Sequence, residues 1–333
     1  METPRKKNGF FDYLLSSALT RRLGRHARRL RFSARCKTVR NLIDALFNID
    51  QHITLSRTMT RAGLSAKEGV VKGMRYRYLR SYYLGGGLSI GQCLGVAINH
   101  YNTIVQHFRP EFLLTCAANG YLLWQRKSSD LDVRITLRLP YSYNFDGDMC
   151  LVLAISGKDA YIATFSFANG RIAAAQEPQV LLISGMQGIA GRIEDIRKVT
   201  ESCHNIAPAH LLLFSAEALA AAIGVSAIVG VGRDDIIDES APSGGRGLFD
   251  YDAFWMPIAG VEKARRFYRV PLPFADKPIE SIPAKHRSRA RKRRELRNSM
   301  RNEIAIEANL TLMRDCLQDA SQGSVALSKI RQT

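Results

Sequence analysis

The stretch VLLISGMQGIAGRIEDIRKVT, Val180–Thr200, decides the fold. Four apolar residues run into glycines at 185, 188 and 191, and a charged segment of helical character follows. Strand, glycine-rich turn and helix in succession is an arrangement that holds phosphate: glycines let backbone amides face a ligand, and the helix adds its positive N-terminal end. Arg192 sits at the expected helix start, where a cation is disfavoured unless an anion lies nearby. Gln187, Gly188, Gly191 and Arg192 are therefore candidate anion-binding residues. Equally, the glycines would serve only to turn a strand and pack it tightly. The spacing Gly185-x-x-Gly188-x-x-Gly191 lacks the Lys-Ser/Thr of a P-loop and the G-x-G-x-x-G of a dinucleotide site.

Upstream of this stretch the period is two. LDVRITLRLP alternates Val133, Ile135, Leu137 and Leu139 with polar residues, the pattern of a half-buried strand. DMCLVLAIS follows the Asp146-Gly147 turn, and AYIATFSFA runs to the hairpin signal Asn169-Gly170. With VLLIS these make an antiparallel meander of about four strands. Further upstream, residues 41–60 read as helix, and Ser89 is placed to cap a second helix that runs to Pro110. A third covers Glu111–Ala118, ending at the turn Asn119-Gly120. Downstream the period is helical over Arg192–Cys203 and again from Pro208 to Gly224, then SAIVGVG reads as a buried strand and RRFYRVPLP as a closing one. The expected fold is mixed α/β, a largely antiparallel sheet with flanking helices.

The formal net charge of +18 is carried by two segments. Residues 1–40 hold 12 Lys/Arg against Glu2 and Asp12, and residues 285–301 hold nine against Glu295, so the body between is neutral. This divides the chain into a basic amphipathic arm (1–40), an α/β body (41–284, helical to 118) and a basic helical tail (285–333). The ends suit a polyanion: an acyl carrier protein, an anionic membrane surface or nucleic acid. KHRSRARKRRELR has no interleaved aromatics for stacking on single strands, and a solvated basic helix is its plainer reading. The arm Phe10–Phe32 would lie on an anionic membrane surface, or be a frayed, solvated basic arm, or dock its apolar residues on the body.

Six dispersed cysteines without C-x-x-C spacing read as reduced, buried thiols. No metal is expected, because the seven histidines do not fall at ligand spacings. Nor is there a G-x-S-x-G elbow. Cys203-His204 is not a dyad, since neighbours on a helix point about 100° apart. No run of 18 apolar residues and no charge-then-apolar N-terminus occur, which reads as cytoplasmic, or peripheral at the inner membrane. Tyr251 and Asp252, within Phe249-Asp250-Tyr251-Asp252 and beside Phe254-Trp255, are candidates for acid/base chemistry in a cleft. The alternative is that these aromatics plug the core and the acids cap a turn.

LLISGMQG, IRKVTESCHNIAPAHLLL, FDYDAFW and IPAKHRSRARKRRELRNSM, with His100-Tyr101 earlier, resemble the VirK/YbjX family across about residues 60–300. Glu201 and Asn205–Ala209 depart from the family's more basic pattern there, and its acidic pair survives as Asp146 and Asp148. The resemblance implies a role in virulence, envelope stress or antimicrobial-peptide tolerance, and supplies no catalytic residues. The element order is also similar to that of the acyl-CoA N-acyltransferase superfamily. This second likeness implies acyl transfer from CoA or an acyl carrier protein. Gln187 to Arg192 would hold the pantetheine-phosphate end, and Tyr251 or Asp252 would act as acid or base. Ala190 and Arg192 stand where that superfamily's loop has small flexible residues.

Overall fold

The computed structural model describes residues 43, 46–64, 73–80, 82–129, 131–140, 146–232, 249–258 and 260–309. The basic arm, the acidic then glycine-rich stretch 233–247 and the chain after 309 lie outside the described residues.

Eight strands form one open sheet: β1 (Tyr121–Lys127), β2 (Asp132–Arg138), β3 (Met149–Ile155), β4 (Lys158–Asn169), β5 (Gln179–Gly188), β6 (Ala227–Val231), β7 (Glu262–Ala264) and β8 (Phe267–Pro271). They lie in the order β1-β2-β3-β4-β5-β6-β8-β7, and only the β5/β6 pair is parallel. The meander therefore has five strands. YLLWQRK is its first, an edge strand whose apolar pair Leu123-Trp124 is buried while Leu122 beside it is exposed. The Asn169-Gly170 signal does mark the β4–β5 connection, but the chain loops through residues 170–178 before Gly170 N–H reaches the Pro178 carbonyl. A short strand, β7, joins the expected closing strand to make a terminal hairpin.

Seven helices surround the sheet among the described residues: α1 (Ile49–Arg61), α2 (Ile90–His107), α3 (Phe112–Ala118), α4 (Ile193–Ser202), α5 (Pro208–Ala222), α6 (Tyr251–Trp255) and α7 (Ala284–Glu307). Ser89 caps α2 as its sequence indicates: its hydroxyl accepts from Gln92 N–H, and the Gln92 side chain accepts from Ser89 N–H. Every residue of β3 is buried, as are nine of the 12 residues of β4, so the sheet's centre is covered on both faces. Helix α2 packs on β4, placing His100 against Phe167. Helix α5 lies over β3 to β6 and is itself covered by α7. Being buried nearly all round, α5 reads as alanine and leucine with little polar face.

Candidate functional site

The parallel pair is short. Leu181, Leu182 and Ile183 of β5 meet Ile228, Val229 and Gly230 of β6, after which β5 runs on to Gly188 without it. Ligands of open α/β sheets bind where strand carboxyl ends part in this way. Here the gap is filled from within. The buried Tyr251 hydroxyl accepts from the Met186 N–H at 2.8 Å and donates to the Met186 carbonyl at 3.1 Å. It takes the place of a neighbouring strand. Trp255, fully buried, donates its indole N–H to the Val231 carbonyl at 3.2 Å. Helix α6 is thus an aromatic plug, begun by Asp250 accepting from Ala253 N–H. Of the two acid/base candidates there, Tyr251 is thus bonded to both backbone groups of Met186.

Glycines 185 and 188 stand inside β5; the turn proper is Ile189–Arg192 with Gly191 at φ 78°. Gly185 is required by a crossing elsewhere, because a Cβ there would lie 2.7 Å from both Asp146 Oδ2 and Thr164 Oγ1. Gln187, Gly188 and Gly191 are exposed at the strand end. Arg192 turns inward. Its guanidinium pairs with Asp195 at 2.9 Å and donates to the Ile155 carbonyl at 3.3 Å. These partners account for a cation at the start of α4, whose first turn also carries Glu194. The four candidate residues are neighbours, then, but their cation already has a carboxylate.

Asp252 points the other way. Its Oδ1 accepts from Tyr268 O–H at 2.9 Å, and it lines a cavity of about 490 Å³ at the carboxyl end of β6. The other walls come from Gly87, Leu88 and Gln92 at the start of α2, from Arg171 in the β4–β5 loop, and from Lys263, Arg265 and Arg266 of the β7–β8 hairpin. Four cations and one carboxylate therefore converge, and helix α2 presents its positive end to the same space. Arg171 and Arg265 have no carboxylate partner among the described residues. Gly87, at φ 71°, is what admits Arg266: a Cβ there would meet its Nη1 at 1.9 Å. Arg266 crosses over it to donate to the Gly86 carbonyl at 3.1 Å. Sequence reading missed this cavity, since its cations are single residues from separate loops. Asp252 is the wall residue that the sequence singled out.

A second polar cluster is wholly buried beneath α2. Asp148 accepts from Tyr83 O–H at 2.6 Å and Ser166 O–H at 2.7 Å, and Arg77 donates to the Gly147 carbonyl. His100 Nδ1 accepts from Phe167 N–H at 3.1 Å. Burial holds the His100 imidazole down to about 4, against the opposing pull of the Asp148 carboxylate, and pushes the Cys93 thiol up to about 12. A neutral imidazole and a protonated thiol with no access to solvent make this a structural network. Among the described residues, no cluster of His, Cys, Asp and Glu is placed to hold a metal ion, and no helix is long and apolar enough to cross a membrane.

Together these features define an α/β protein on an open, mostly antiparallel eight-stranded sheet with a cationic cavity at the end of its parallel pair. A family model described as "Protein of unknown function (DUF535)" matches residues 21–306, and the chain belongs to that family. It is 28% identical over 231 residues to the uncharacterized protein YbjX of Escherichia coli K12, covering 67% of this chain and 68% of that one. An uncharacterized protein of Haemophilus influenzae is 26% identical over 176 residues, 52% of this chain and 57% of its own. The resemblance drawn from the sequence motifs is thereby established. No solved structure matches the chain.

Proposed function

We propose that this protein binds a phosphate-bearing small molecule in the cavity between the start of α2 and the β7–β8 hairpin. The observation that carries the reading is the convergence there of Arg171, Lys263, Arg265 and Arg266 around about 490 Å³, a volume within the ~300–1,000 Å³ of small-molecule sites. Arginine forks suit phosphate oxygens, and the α2 N-terminus adds to the same field.

The ligand class we favour is the phosphopantetheine arm, free in CoA or carried on an acyl carrier protein, and the reaction class is acyl transfer in envelope or stress adaptation. An acceptor amine or hydroxyl would attack the thioester carbonyl, its proton passing to Asp252 as the thiolate leaves. Gln187, Gly188 and Gly191, exposed at the end of β5, would flank the arm, while Arg192 keeps the corner's shape through Asp195. The element order supports this reading, as does the position of Asp252 in the cavity wall. An acidic carrier or an anionic inner-membrane surface would be met by the basic arm 1–40.

Calorimetry with pyrophosphate, phosphopantetheine and CoA tests the proposal. Arg265 sits at φ 55°, so Arg265→Asn, which tolerates that region, removes the cation without strain. Losing one charge-assisted contact of about 1.5–3 kcal/mol should weaken binding roughly 10- to 100-fold. Absence of binding by the wild-type protein, or equal binding by Arg265→Asn and Arg171→Ala, refutes it.

A further inference from the structure

The basic run 285–301 reads in sequence as one undivided feature, yet in the structure it separates into two populations. Four of its nine cations fasten α7 to the body. Arg287 donates to the Ile282 and Glu280 carbonyls, each at 2.9 Å. Arg293 donates to the carbonyls of His204 and Asn205, at 2.9 and 2.7 Å. Arg294 and Arg297 hold Asp276, and Arg297 also lies over the Phe214 ring. These side chains are consumed by folding.

Lys285, Arg289, Arg291 and Lys292 are exposed and have no hydrogen-bond or ion-pair partner among the described residues. Lys285, Arg289 and Lys292 fall at i, i+4 and i+7, one side of the helix, over about 10 Å of its length. A cation from another element joins them. Arg126 of β1, a strand packed against α7, likewise has no partner among the described residues and lies with Lys292 and Arg293 in the field of His204; burial and these charges hold that imidazole below its ordinary value, with Glu295 opposing. The patch is rigid, because Arg293 anchors α7 to the two consecutive left-handed residues of the α4–α5 corner, His204 and Asn205.

We propose that Arg126, Lys285, Arg289 and Lys292 form a contact surface for the phosphate backbone of duplex nucleic acid. This surface is independent of the cavity reading. Its composition selects the partner. An interfacial membrane helix needs large apolar anchors beside its cations, whereas α7 has no exposed large apolar residue until Ile306, about 21 Å along the helix from Lys292, and β1 adds only Leu122. A protein interface needs an apolar or aromatic centre and is poor in lysine. Phosphodiester contacts need charge alone, and arginine forks match them. The same composition predicts binding without base readout.

Fluorescence anisotropy of a labelled duplex of about 30 base pairs, titrated with full-length protein at several salt concentrations, tests this. Each neutralised phosphate contributes about 0.9 to the slope of log K against log salt. Replacing two contacts in Arg289→Ala/Lys292→Ala should lower that slope by about 1.8 and leave the thermal midpoint unchanged. The charge-matched double variant Arg171→Ala/Arg265→Ala, on the cavity, should keep the wild-type slope. Duplexes of unrelated sequence should bind alike. The proposal is overturned by an unchanged slope in the α7 variant, or by equal losses in both variants. Stronger retention on phosphatidylglycerol vesicles or on an acidic carrier protein than on duplex at the same salt would also overturn it.

Discussion

Removing a single oxygen from Tyr251 separates a positioning role from a chemical one. The phenol serves both backbone groups of Met186, accepting at 2.8 Å and donating at 3.1 Å, at a position where Met186 is 1% exposed. Tyr251→Phe keeps the ring, its edge contact with Phe249 at 4.8 Å and the packing of α6. It strips a buried N–H and a buried carbonyl of this partner. Each such group costs about 1–3 kcal/mol, so the expected loss is about 2–6 kcal/mol. At roughly 1–2 °C per kcal/mol for a protein of this size, the melting temperature should fall by about 3–10 °C. Differential scanning calorimetry at neutral pH reads this directly, and a urea titration should show a lower midpoint at unchanged slope. Phosphate-ligand affinity, measured well below the melting temperature, should stay within about twofold. A melting point within 1 °C of wild type would refute the strand-substituting role, and a normal melting point with abolished ligand chemistry would return Tyr251 to the catalytic list.

Three further outcomes follow from the same geometry. The His100 imidazole is held down to about 4 in the folded protein against an ordinary 6.5. Between those values the unfolded chain binds a proton that the folded one refuses, so stability falls as pH drops from 6.5 towards 4, by up to about 3 kcal/mol. Urea midpoints across that range should show the loss, and His100→Phe should flatten it. Gly185→Ala, whose Cβ would enter the space of Asp146 and Thr164, should cost about 1–3 kcal/mol by overpacking, read as a lower thermal midpoint. Arg293→Ala should lower the melting temperature by a few degrees through loss of two carbonyl contacts of about 0.5–1.5 kcal/mol each, whereas Lys292→Ala should leave it unmoved.

The elements with local causes were legible in the chain. Ser89 with Gln92 three residues on is a capping box in sequence and in structure. The period-two run from Val133 to Leu137 buries its apolar residues on one face of β2. Strand, turn and helix follow each other across Val180–Thr200 as their composition says. What stayed hidden was set by residues far apart. Gly185 is small because Asp146 and Thr164 cross over it, so its place in a glycine-rich motif has a packing cause that no local spacing displays. Gly87 answers to Arg266, 179 residues away. The cavity cations arrive singly from the β4–β5 loop and the β7–β8 hairpin, each unremarkable where it stands in the chain. Likewise the run 285–301 gives no hint that Arg287, Arg293, Arg294 and Arg297 face the body while Lys285, Arg289, Arg291 and Lys292 face water. That division depends on Asp276 and on the carbonyls of the α4–α5 corner. Even Arg192, anomalous at a helix start by sequence, is ordinary once Asp195 and the β3–β4 turn are seen beside it.

The cavity at the end of the parallel pair carries the functional account, and a crystal structure of the protein grown with CoA tests it most directly. The account predicts phosphate density within hydrogen-bond distance of Arg171 and Arg265, beside the first turn of α2. Density for the phosphates at the Gln187–Arg192 corner with the cavity unfilled, or no ligand density at saturating CoA, would contradict it.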